Sequence, residues 1–238
     1  MSDISRSELE ALKAKISAIE LDRKESLPLA LSLDHGIIDR TLKGGLQLGC
    51  LHEISGTASD GFAAMLTARF TTPLKTPVLW CVNSRYARHP FAPGLAGMGV
   101  STQRLTIAHC KTPRDMLWTM EEGLKSGAAK LVIGEPSKAL GLTESRRLQL
   151  TASTTGSIGL ILGQRNLAPN ASTTRWSVSA IPSFFIDAPW GCVWRLELTR
   201  SRNGGAGTWD VIWKGTSHEK THRLCLVSEI SDRQTRAA

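Results

Sequence analysis

A regular alternation of short aliphatic runs and helical patterns, beginning near residue 44, constrains this chain more than any other feature. The runs are Cys50–Ile54, Pro77–Val82, Arg104–Ala108, Lys130–Ile133 and Ile158–Leu162. Runs this short and nearly continuously apolar suit strands buried on both faces of a parallel sheet. The segments between them read as helices. Thr112 is a good N-cap, with Asp115 three residues on completing a capping box. Leu117, Met120 and Leu124 then line one face, and Gly127 ends the helix. Strand–helix–strand at this period predicts an α/β sheet with right-handed crossovers.

After about residue 172 the pattern changes to period two. Trp176, Val178 and Ala180 alternate with Arg175, Ser177 and Ser179. Trp194, Leu196 and Leu198 alternate with Arg195 and Glu197, and Trp209, Val211 and Trp213 with Asp210 and Ile212. One polar face signals antiparallel strands. Asn203-Gly204-Gly205 lies where a hairpin loop belongs. The expected fold is therefore α/β: a mainly parallel central sheet flanked by helices, extended by C-terminal antiparallel strands.

Three parts are expected along the 238 residues, with no internal repeat and no low-complexity tract. Residues 1–27 read as an amphipathic helix, because Leu9, Leu12, Ile16 and Ile19 recur at steps of three and four. Residues 28–215 form the core, and 216–238 read as a polar tail. Apolar residues at 41% and charged residues at 21% suit a globular chain and exclude disorder throughout. No apolar run reaches the roughly 18 residues of a membrane helix. The first residues, MSDISRSELEALKAKI, lack the apolar segment of a secretory signal. The cysteines are Cys50, Cys81, Cys110, Cys192 and Cys225, odd in number and without a CxxC pair. That speaks against a disulfide framework and for a reducing cytoplasm, with Cys81 a small buried hydrophobe. Lys+Arg 29 against Asp+Glu 21 leaves +8, which favours anionic partners, nucleic acid first among them.

The richest stretch for chemistry is Gly56-Thr57-Ala58-Ser59-Asp60-Gly61-Phe62-Ala63, between a strand and a helix. Two glycines five apart in that context are the frame of a phosphate-binding loop. That motif requires Lys and then Ser or Thr after the second glycine, to neutralise phosphate and to hold Mg²⁺. Phe62 and Ala63 stand there instead, and Asp60 would repel phosphate. The glycines are then left to shape the strand-to-helix turn, and no cofactor is expected.

The order of motifs resembles the RecA-like ATPase core. GGLQLGCLHEISG (44–56) looks like the entry to its first core strand, and VLWCVNSRYARHPFAPGLAGMGV (78–100) like the next strand, helix and turn. KLVIGEPSKAL (130–140) resembles the Walker B strand, and SIGLILGQRNL (157–167) the strand bearing the sensor glutamine, matched by Gln164. WRLELTRSRNGGAGTWDVIW (194–213) resembles the terminal hairpin. The departures are consistent. Arg85 replaces the catalytic glutamate, and Gly134, followed by Glu135, replaces the Walker B aspartate. The resemblance therefore implies the fold without the catalytic groups.

A narrower resemblance, adding LWTMEEGL (117–124), LTESRRLQL (142–150) and TTRWSV (173–178), is to the ImuA family. These are RecA-like accessory proteins of bacterial SOS mutagenesis that lack an intact Walker A motif. The resemblance implies a non-catalytic adaptor in translesion synthesis. Its implied partners are ImuB (a Y-family-like protein), an error-prone C-family DNA polymerase, RecA, DNA and further copies of itself. Two other readings stand beside it. One is a divergent DNA-dependent ATPase using Arg85 and Glu135. The other is a division inhibitor resembling SulA.

The resemblance also implies DNA contacts in loops after the later core strands, which here fall in 165–174 and near Arg146 and Arg147. Arg165, Arg175, Arg200 and Arg202 complete the candidate phosphate contacts, against the plainer reading of a solvated basic face. Trp190, in the turn Pro189-Trp190-Gly191, and the Leu9–Ile19 stripe are candidate partner anchors, whereas tryptophans at strand period belong to the core. His218, His222 and Cys225 have helical spacing but no evident fourth ligand, so no metal site is expected. His52, in a core strand, reads as structural, and Ser84 near His89 lacks the elbow of a hydrolase.

Overall fold

The computed structural model describes residues 30–84, 90–163, 169–182, 192–202, 205–214 and 223–227. A two-stranded ribbon, β1 (Ala30–Leu31) with β2 (Leu46–Gln47), brackets the short helix α1 (Gly36–Thr41). The main body alternates β3 (Leu51–Ser55), α2 (Ser59–Thr71), β4 (Val78–Asn83), α3 (Ala92–Gly97), β5 (Leu105–Cys110), α4 (Pro113–Ser126), β6 (Leu131–Gly134), α5 (Leu142–Thr155) and β7 (Ile158–Gly163). Then come β8 (Thr174–Ala180), β9 (Cys192–Ser201), β10 (Gly207–Lys214) and β11 (Arg223–Leu226).

The main sheet has nine described strands in the order β11-β10-β9-β8-β3-β7-β6-β4-β5. Pairs from β5 through to β8 are parallel, and those from β8 out to β11 are antiparallel. All five aliphatic runs are strands, as the alternation predicts. β5 departs from the expected burial on both faces. Among the described residues it is an edge strand paired only with β4, and Thr106 and His109 are exposed. β8 is a hinge of topology, parallel to β3 on one side and antiparallel to β9 on the other. Arg223–Leu226, where the sequence has no clear alternation, adds a further antiparallel strand.

One face of the sheet carries α4 and α5. The capping box of α4 is present, with Asp115 N–H donating to Thr112 Oγ1 at 3.1 Å and Thr112 N–H to Asp115 Oδ2 at 3.0 Å. Gly127 closes the helix at φ 65°. The buried stripe is Met116, Met120 and Leu124, with Leu117 partly buried against the same cluster. The opposite face carries α2, which is buried from Phe62 to Thr71. A helix enclosed on all sides must satisfy its polar groups internally. Thr67 and Thr71 hydroxyls donate to the carbonyls of Ala63 and Thr67, and Arg69 pairs with Asp34 at 2.6 Å. Among the described residues no helix is long and apolar enough to cross a membrane.

Trp176, Trp194 and Trp213 are core residues and Trp209 is partly buried against them. Cys81 is fully buried, and that burial raises its thiol pKa. His52 is likewise structural. One ring nitrogen lies 2.7 Å from Thr174 Oγ1 and the other 2.9 Å from the Gln47 carbonyl.

Candidate functional site: the glycine loop, its cavity and the crossover above β3

The loop between β3 and α2 lies against β8. Ala58 N–H donates to the Val178 carbonyl at 3.0 Å, and Ser59 N–H to the Gly56 carbonyl at 3.3 Å. Thr57 Oγ1 accepts the Ala180 N–H at 3.4 Å. A phosphate cradle presents loop N–H groups to its ligand. Here the donors of Ala58 and Ser59 are already engaged by protein carbonyls. Gly56 has φ +105°, and a side-chain carbon on it would stand 2.2 Å from the Val178 oxygen. The glycine is needed for close approach to β8.

Phe62, at the place a phosphate-binding lysine would take, is fully buried. Its ring lies 6.1 Å from Trp176 and 6.2 Å from Trp194. The side chain thus points into the core. Ala63 is also fully buried. Ser59 begins α2, Asp60 is exposed in its first turn, and Gly61 is within 3.0 Å of Trp194 if given a Cβ.

Beside the start of α2 is a cavity of about 410 Å³ at the carboxyl end of the parallel strands. Ala64, Trp80, Leu95 and Met98 give it apolar walls, and Phe91 stands at its rim, 71% exposed. Asp60 and Glu135 also line it, and Glu135 Oε1 accepts the Trp80 indole N–H at 2.6 Å. Gly134 faces the other side of the sheet, where Met120 Sδ would lie 2.1 Å from an added Cβ. Glu135, one residue on, is therefore the carboxylate that this strand end presents to the cavity. The sequence marks Glu135, but nothing in its periodicity brings Trp80, Phe91 and Asp60 to the same hollow.

The arginine candidates divide. Arg175 is enclosed, with 12% side-chain exposure, and pairs with Glu53 at 2.9 Å. Glu53 Oε2 also accepts Asn170 Nδ2 at 2.7 Å. This buried pair pins the segment that crosses above β3 from β7 to β8, so Arg175 does internal work and is not a free phosphate contact. Arg147 is exposed and pairs with Glu121 on α4. Arg146, Arg200 and Arg202 are exposed. Arg200 Nη1 reaches the Asn170 carbonyl at 3.4 Å, and Arg202 N–H bonds the Thr173 carbonyl at 3.0 Å. Arg146 follows Ser145, whose Oγ accepts the Ala171 N–H at 3.0 Å.

Arg165, Gln164, Arg85, Trp190, Leu9, Leu12, Ile16 and Ile19 lie outside the described residues, as do His89, His218 and His222. Cys225 is in β11, a strand, so the helical spacing read from it does not apply. Among the described residues no group of three or more His, Cys, Asp or Glu is placed to hold a metal.

No family model matches the chain. Protein ImuA of Caulobacter vibrioides, from two strains, is 29% identical over 217 residues, covering 82% of this chain and 87% of the relative. A span covering that share includes the glycine loop and every parallel strand. The enclosed loop and the parallel sheet thus fall within one continuous relationship, and the chain is a homologue of ImuA.

Proposed function

We propose that the chain is a non-catalytic accessory protein of SOS mutagenesis, acting in translesion synthesis after DNA damage. Its role is that of an adaptor that brings an ImuB-type Y-family-like protein and an error-prone C-family polymerase together at blocked primer ends, with RecA and DNA as further partners. The observation that carries this reading is Phe62, a core aromatic at the lysine position of the loop, in a chain homologous to ImuA. An apolar ring supplies no charge to a phosphate, so one of the groups that stabilise the charge in phosphoryl transfer is missing. The basic set Arg146, Arg200 and Arg202 is the surface this reading assigns to DNA, through phosphate contacts that carry no sequence preference. Co-purification with ImuB tests the adaptor role, and absence of binding at micromolar concentration counts against it.

A second reading, a divergent ATPase, draws support from Glu135 at the cavity beside the loop. It requires magnesium-dependent ATP turnover that Glu135→Ala abolishes. Turnover that survives that change, or none in the parent protein, removes it.

A further inference from the structure

We propose that the outward face of α4 is a self-association surface, on which a second copy of the chain docks antiparallel about a twofold axis at Trp118. Among the described residues six large hydrophobic side chains are exposed, and three of them, Trp118, Leu142 and Leu150, stand on α4 and α5. These two helices lie side by side on one face of the sheet, tied across by Arg147 and Glu121. Trp118 is 64% exposed. It sits on the side of α4 opposite the buried stripe of Met116, Met120 and Leu124, so core packing does not account for the indole. A tryptophan left in water in the middle of a helix face has the character of an interface anchor.

The charges beside it choose the occupant. Arg114 stands one turn before Trp118 and Glu122 one turn after it, in a single i, i+4 row. Both are exposed. A twofold axis at Trp118 sets each residue before it level with the residue equally far after it on the second copy. Arg114 of each copy then meets Glu122 of the other, about 6 Å along the helix from the paired indoles. Rows of this kind lie alongside one another when helices cross at about 50°, the commonest packing. The row is thus its own electrostatic complement in the antiparallel sense, whereas a parallel pairing sets Arg114 against Arg114. Glu121 is held by Arg147 within the chain and stays out of the exchange. Glu122 reaches Lys125 at 3.7 Å, an exposed pair of a kind that contributes little and is readily exchanged. Leu150 adds apolar area on the neighbouring helix. The inference stands on α4 and does not depend on the adaptor reading.

The test is sedimentation velocity on the full chain over about 1 to 100 μM, a range that reveals weak association. A reversible dimer is expected, and Trp118→Ala is expected to weaken it about tenfold or more. Arg114→Glu and Glu122→Arg each set like charges against one another at both contacts and are expected to leave monomer. An equimolar mixture of those two variants makes both contacts opposite in sign again and is expected to restore the dimer. Neither change opposes the helix, since an acid suits its first turn and a base its later part. The urea midpoint checks that each variant is folded. A chain that stays monomeric at the top of the range overturns the proposal. So does a dimer that Trp118→Ala leaves unchanged, or a mixture that associates no better than either variant alone. Loss of ImuB co-purification through Trp118→Ala in a monomeric chain gives the face to that partner and overturns the proposal too.

Discussion

Phe62 and Trp194 meet edge to face, their ring centroids 6.2 Å apart and their planes inclined at 78°. One residue lies in the first turn of the central helix and the other belongs to an antiparallel strand, so the contact ties the two kinds of sheet pairing to one core. Removing the ring by Phe62→Ala is expected to cost about 3–5 kcal/mol, the usual loss for a buried aromatic. Phe62→Lys, which restores the motif on paper, buries an ammonium among tryptophans and is expected to cost at least as much. Urea denaturation measures both, and nucleotide titration of Phe62→Lys is expected to show no gain in binding.

Gly56 provides a sharper backbone test. Gly56→Ala places a methyl group against the Val178 oxygen at a positive φ and is expected to lose about 1–3 kcal/mol. Gly97→Ala, in α3 with nothing within 4 Å of the added carbon, serves as control. That change is expected to leave the urea midpoint unchanged or raised.

His52 makes stability depend on pH. Burial lowers its pKa from 6.5 to about 4, with the Gln47 carbonyl opposing the shift. The folded state holds the neutral ring, so the unfolded chain binds the extra proton between these values. Stability is therefore greatest above pH 6.5, falls as pH drops toward 4, and levels off below. The full penalty is about 3 kcal/mol for a shift of this size. His52→Gln is expected to flatten that part of the stability–pH profile, measured by denaturation at a series of pH values.

The arginines separate by role. Arg175→Ala strands the buried Glu53 carboxylate and is expected to destabilise by about 3–5 kcal/mol. Arg200→Ala with Arg202→Ala is expected to change stability by less than about 1 kcal/mol, as surface changes do. In fluorescence anisotropy with single-stranded and duplex DNA of varied sequence, the double variant is expected to weaken binding evenly. It should also flatten the dependence of log affinity on log salt by about 0.7–0.9 per lost phosphate contact.

Much of the fold is legible in the residues, for identifiable reasons. β3, β4, β6 and β7 read from their aliphatic runs because a strand covered on both faces leaves no polar alternation. β5 carries a similar run yet is half exposed, because which strand ends a sheet is a matter of topology and not of local sequence. α4 announces both its ends through Thr112 and Gly127, but its buried stripe takes in Met116, which depends on how the helix is laid on the sheet and not on its own sequence. Arg69 in the enclosed α2 defies any hydropathy reading until Asp34 is placed beside it. At the site, the two glycines and the Phe62 that follows the second are visible in the sequence. That Phe62 completes an aromatic cluster, that Arg175 is claimed by Glu53, and that Trp80, Asp60 and Glu135 share a hollow all depend on residues distant in the chain.

The apolar core on the α2 face of the sheet has a consequence for how the protein can be cut. It takes side chains from Leu33 through Leu224, with Trp176 and Trp194 seated on Phe62. A fragment stopping before β8 would keep the parallel strands but leave the start of α2 bare on the side those rings cover. A fragment starting at β8 would carry tryptophans with nothing to lie on. Neither half is a module that can be lent to another protein. Fusions and tags therefore belong at the chain ends, and a nick within the body should release both halves together.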